Sequence, residues 1–233
     1  MNSSALLSLL QLASPALPVG AYSYSEGLEF LVEAEIITDV ATLEKWLRDA
    51  LRFGSPRLDG ALLQRSYAAM ENQDMERLRY WNHWSLAVRE TEELRQQTIQ
   101  MGRSLSGLLQ ELDSSLEPVL QELRSPTDET QPDGQISYTT GWAIACAHWQ
   151  ISITDAIFAY LHGWVANAIA AGVKLIPLGQ TSGQKLLFQL HPQIAEIVPE
   201  ILALDEANLY SCSWGFAMAS IAHETQYTRL FRS

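Results

Sequence analysis

Cysteine is nearly missing from this chain, and so is any concentration of positive charge. Only Cys146 and Cys212 occur in 233 residues, and they form no spaced pair. No disulfide framework or cysteine-rich metal site is therefore encoded, and the scarcity fits a reducing, cytoplasmic setting. Fifteen Lys and Arg stand against 27 Asp and Glu, for a net charge of -12. No basic residue precedes Lys45, and Arg124 alone lies between Ser104 and Val173. A binder of nucleic acid needs a basic face for the phosphates, so that class is excluded. The acidic balance suits basic protein partners or divalent cations instead.

Catalytic motifs are lacking as well. The chain has no G-x-x-x-x-G-K-[ST] phosphate loop, no G-x-G-x-x-G and no G-x-S-x-G elbow. Ser182-Gly183-Gln184-Lys185 fits S-x-x-K, but without the companion elements of that enzyme class it reads as a helix start. The histidines do not converge in sequence. Cys146 and His148 point apart on one helix, about 16 Å of rise separates Cys212 from His223, and His162 and His191 stand alone. Buried or capping histidine is the expectation, with no metal site, no cofactor and no enzymatic activity.

Nor is there a clear membrane span. The leucines near the start have no positive residue before them, which argues against a signal peptide. Ala156 to Val173 is free of formal charge, yet His162, Gly163 and Asn167 interrupt it and Asp155 and Lys174 bracket it. It reads as a buried central helix.

What the chain does have is helical periodicity. Its 47% apolar composition, with seven Trp and eight Tyr, supplies a sizeable core. Alternating strand patterns and internal repeats are missing, so an all-α, single-domain multi-helix bundle over residues 1–233 is expected. Leu6 to Leu12 form a short helix, and Asp39 caps another that Gly54 stops. Ser55-Pro56 opens the next and Asp74 the one after. Leu94, Thr98, Met101, Leu105, Leu108 and Leu112 form a long packing seam, with Gly102 and Ser106 beside it for close approach. Glu93, Arg95 and Arg103 lie off this seam, where surface salt bridges are the plain expectation. Residues 125–135, rich in Pro, Asp and Gly, read as a mobile loop. Ser152 caps the long Ala-rich helix, and Pro192 and Pro199 are expected to cut the segment after it into short pieces. Trp214 to Ala222 is the last helix.

The most informative stretch is Leu12 to Glu29, LASPALPVGAYSYSEGLE. Pro15 and Pro18 end the first helix, and Gly20 closes the turn that follows. Ser23 and Glu26 have the spacing of a capping box at a new helix start near Tyr24. At the other end, His223-Glu224-Thr225-Gln226-Tyr227-Thr228-Arg229-Leu230-Phe231-Arg232-Ser233 places aromatic, apolar and guanidinium groups where a tail is normally polar. Such residues anchor interfaces, either on the protein's own body or on another protein.

That first stretch closely resembles the N-terminal signature of the urease accessory protein UreF family. Glu93-Leu94-Arg95, Met101 to Leu105, Leu178-Gly179-Gln180 with Gln184, and the tail resemble the family's other landmarks in order. The resemblance implies an all-α homodimer that joins the accessory protein UreD (also called UreH), recruits the GTPase UreG and promotes nickel insertion into apo-urease. Nickel would be handled by the complex, with no cofactor held stably here. Carried over by position, it marks Pro18, Gly20, Tyr22, Ser23, Tyr24, Ser25, Glu26, Gly27 and Glu29, then Glu93, Arg95, Gly102, Arg103, Gly179, Gln180 and Gln184. In the tail it marks His223, Glu224, Tyr227, Arg229, Leu230 and Phe231, with 224–233 as the partner-binding segment. A regulator of the UreG GTPase cycle is the alternative, with Arg95 or Arg103 as a possible finger. Tyr22 stands where many members have Phe, Thr98 where Ser is usual and Lys174 where Arg is usual. At 174 the planar fork of Arg is lost.

Overall fold

The computed structural model describes residues 2–125, 134–211 and 213–233. Cys212 and most of the 125–135 segment lie outside them. The described residues form an all-α protein without strands. Helices α1 (Ser3–Leu12), α2 (Leu28–Glu33), α3 (Val40–Phe53), α4 (Ser55–Glu71), α5 (Met75–Ala87) and α6 (Glu92–Leu112) lead to the short α7 (Glu117–Arg124). After the gap come α8 (Tyr138–His148), α9 (Ile153–Leu175), α10 (Gln180–Leu202) and α11 (Trp214–Glu224).

Local chemistry sets most of these boundaries. The Asp39 carboxylate accepts from Thr42 N, whose hydroxyl in turn accepts from Asp39 N, giving α3 a complete capping box. Asp74, Thr91, Ser137 and Ser152 accept in the same way at the starts of α5, α6, α8 and α9. Gly54 ends α3 and leads directly into Pro56 in the first turn of α4.

Two expectations change on packing grounds. α10 is continuous through Pro192 and Pro199. Each interior proline costs about 3 kcal/mol. Leu186, Leu190, Ile194, Ile197, Val198 and Ile201 bury one face of the helix, at about 1.5–3 kcal/mol each, and outweigh that cost. The innermost helix is α8, not α9. Thr139 to Cys146 are buried all round α8, because small residues let neighbours close in: Gly141 faces Leu105 of α6. α9 is the helix, among the described residues, long and apolar enough to cross a membrane, but half of that stretch is inside the protein.

On α6, Leu94, Thr98, Met101, Leu105 and Leu109 are buried, while Leu112 is exposed. The seam therefore turns one residue from its expected line at its end. Gly102 is needed where it was expected. A Cβ there would collide with the Ile136 carbonyl, so the glycine lets the chain entering α8 lie on α6.

A tail-anchoring carboxylate network as candidate functional site

The signature stretch and the tail meet, although about two hundred residues separate them. Pro18 is exposed, and Gly20 turns the chain in the left-handed region at φ 76°. Ser23 does not form the expected capping box. Its hydroxyl donates to the Gly20 carbonyl at 2.7 Å, and α2 starts only at Leu28, behind Gly27 at φ 84°. Glu26 points inward instead, accepting from Gln97 Nε2 at 2.6 Å and Trp164 Nε1 at 2.9 Å. Two donors distant in sequence outcompete the local cap.

Ser25 and Glu26 then receive the tail. The Ser233 backbone oxygen accepts from Ser25 N at 2.6 Å, Ser25 Oγ at 2.7 Å and Glu26 N at 2.9 Å. Ser233 Oγ donates to Gln97 Oε1 at 2.7 Å, and Arg232 N to the Ser23 carbonyl at 2.9 Å. Tyr24 is buried beside them, whereas the Tyr22 ring stays in solvent.

Glu29 is the second anchor. Its carboxylate accepts from Leu230 N at 2.6 Å and Phe231 N at 2.9 Å, and lies 3.3 Å from His223 Nε2. His223 is fully buried, and its Nδ1 lies 2.7 Å from Glu93 Oε2. Its two ring nitrogens thus face one carboxylate each. The other oxygen of Glu93 holds the Arg229 guanidinium, and Glu93 N donates to Glu224 at 3.0 Å. Glu93 is therefore an internal tie and not the surface charge its position suggested. Arg103 is exposed and Arg95 half-buried. Gly179 caps α10 through its extended backbone, and Gln180 and Gln184 are exposed on that helix's first turns; the network does not reach them.

Lys174 completes the tail contacts. Its ammonium sits 5.3 Å from the Phe231 ring centre and 5.9 Å from that of Tyr22. A point charge over two ring faces needs no planar fork.

Beneath the signature turn is a cavity of about 340 Å³ lined by α6, α8 and α9. Glu26 keeps some surface there, yet protein encloses it, and that burial raises its carboxyl above the ordinary 4.5. Deeper in the same wall, Asp59 accepts from Arg89 at 2.7 Å and from the Tyr160 hydroxyl at 3.0 Å. Burial alone would lower the Arg89 value, but the Asp59 carboxylate outweighs it and raises it. Sequence reasoning missed Asp59, Arg89, Tyr160 and Trp164. Asp59 left a signal, an acid between Leu58 and Ala61 on an otherwise apolar helix face.

Beside the network lies a patch of exposed apolar residues. Trp214, Met218 and Ile221 line one exposed face of α11, the tryptophan 78% exposed, and Tyr227 and Leu230 project from the tail beside it. The opposite face of α11 docks through Phe216, Ala219, Ser220 and His223. Gly27 allows this, since a Cβ there would lie 2.8 Å from Ser220 N.

Fold and surface together define a class: an all-α protein whose distinctive residues shape a surface by tying down a tail. The chain belongs to the UreF family. The UreF family model matches residues 37–191. A protein of Trichormus variabilis named urease accessory protein UreF is 52% identical over 227 residues, covering 97% of this chain and 95% of the relative. Relatives of the same name from Microcystis aeruginosa and Alcanivorax borkumensis are 50% and 42% identical, each over the full length of both chains.

Proposed function

We propose that the chain is a non-enzymatic adaptor in urease maturation, and that its tail and the exposed face of α11 form the docking surface for a UreD-type partner. One observation carries the reading. The backbone amides of Leu230 and Phe231 and the Arg229 guanidinium are spent inside the chain on Glu29 and Glu93, while Trp214, Met218, Ile221, Tyr227 and Leu230 are left facing out. Large apolar and aromatic side chains clustered on a rigid support are what anchors an interface.

In this reading the protein acts in the cytoplasm as a homodimer. The partner covers α11 and the tail, and the assembled complex presents UreG to apo-urease, with nickel as its cargo. Family membership supports the role in urease maturation. The signature residues act indirectly: Ser25, Glu26 and Glu29 hold the tail so that Tyr227 and Leu230 are presented in one geometry. Pre-ordering of this kind lowers the entropic cost of association.

Amide hydrogen exchange with and without the UreD-type partner tests the site. Added protection concentrated over residues 214–231 is the expected footprint. Protection confined to α5, α7 or the outer face of α10 would place the partner elsewhere.

A further inference from the structure

His162 of α9 and His191 of α10, unrelated in sequence, lie side by side. Each is roughly four turns from the hairpin connecting the two helices, so antiparallel packing brings them to one level. Their ring centres are 5.6 Å apart with planes inclined by 45°. Both line an open surface pocket with Asp155, Phe158 and Leu9, and the Phe188 ring meets His191 edge to face. His191 is exposed and His162 half-buried, and neither ring has a hydrogen-bond partner among the described residues.

We propose that His162 and His191 form a labile two-imidazole site for a borderline divalent transition ion, on the α9–α10 surface away from the tail. Metal–imidazole bonds of about 2.0–2.1 Å set two ring centres on a tetrahedral ion about 5 Å apart, within a small side-chain rotation of the observed spacing. Imidazole selects zinc, nickel and copper over magnesium and calcium. Among the described residues no cluster of three or more ligating side chains exists. Asp155 shares the pocket, but its carboxylate accepts from Ser152 at the start of α9. Two protein ligands with water in the remaining positions give a site that releases its ion readily, and the net charge of -12 favours cations near it.

Isothermal titration of the full chain with Zn²⁺ and Ni²⁺ alone, at pH 7.5, tests the site. One ion per chain is expected, with affinity falling at least tenfold in His191→Ala and in His162→Ala. His148→Gln, which removes the His148–Asp113 pair elsewhere on the surface, leaves it unchanged. Copper(II) spectra should show two nitrogen ligands in the parent and one in His191→Ala, whose exposed position spares the fold. An unchanged affinity in the His162→Ala/His191→Ala double variant, or one nitrogen or none in the parent spectrum, would overturn the proposal and leave the pair as an aromatic contact only.

Discussion

Glu29 carries three contacts on one carboxylate, with the amides of Leu230 and Phe231 and the ring of His223. A carboxamide offers one acceptor oxygen where two are used, so Glu29→Gln leaves at least one tail amide facing a donor. The expected cost is about 1–3 kcal/mol, seen as lost exchange protection at Leu230 and Phe231 while α8 stays protected. Glu26 gives a prediction in pH. Its raised folded value means that the fold favours the protonated form. Stability from this group is full below the ordinary 4.5 and is lost as pH rises through the folded value. Urea unfolding across that window should show this decline, and Glu26→Gln should flatten it. Asp113 has the opposite sign in a separate window. Hydrogen bonds from Ser115 and His148 lower it to about 2, so its contribution is lost only as pH falls below 3.8. At this scale the sequence was read least well. Ser23 and Glu26 have capping-box spacing, but Trp164 and Gln97 claim the carboxylate, and no local pattern announces partners 138 and 71 residues away.

Among the elements, α11 carries large residues on both faces. Trp214, Met218 and Ile221 have the spacing of a buried stripe, yet they face out, while Phe216, Ala219, Ser220 and His223 face in. Periodicity finds the helix but not which side is covered, because Gly27 and the tail decide that. Trp214→Ser with Met218→Ser should change stability by less than about 0.5 kcal/mol, as an exposed substitution does, while partner affinity falls tenfold or more by titration. Gly27→Ala should act the other way, loosening α11 at a cost above about 1 kcal/mol, because it adds a backbone clash to a left-handed φ. Its signature is a broadened unfolding transition with early exposure of α11. The caps of α3 and α9 and the glycine approach at α6 were legible because each is settled within a few residues or by one small side chain. The unbroken α10 was not, since its prolines are outweighed by burial against α3, α4 and α9.

For the whole molecule, the all-α class was readable from composition and periodicity, and membership of the family from its landmarks. What stayed hidden was that the two ends form one structure. The tail is bound to its own body on one side and exposed on the other: Glu29, Glu93 and His223 hold the first, and Tyr227 and Leu230 lie on the second. The measurement that addresses this most directly is light scattering on a sizing column with a UreD-type partner. It compares the parent chain with Tyr227→Asp/Leu230→Asp, in which every tail anchor is kept. The parent is expected to elute as a complex with stoichiometric partner, and the double variant as a folded protein with the partner running free. An equally stable complex from both would contradict the account, because the outward side of the tail would then have no part in docking.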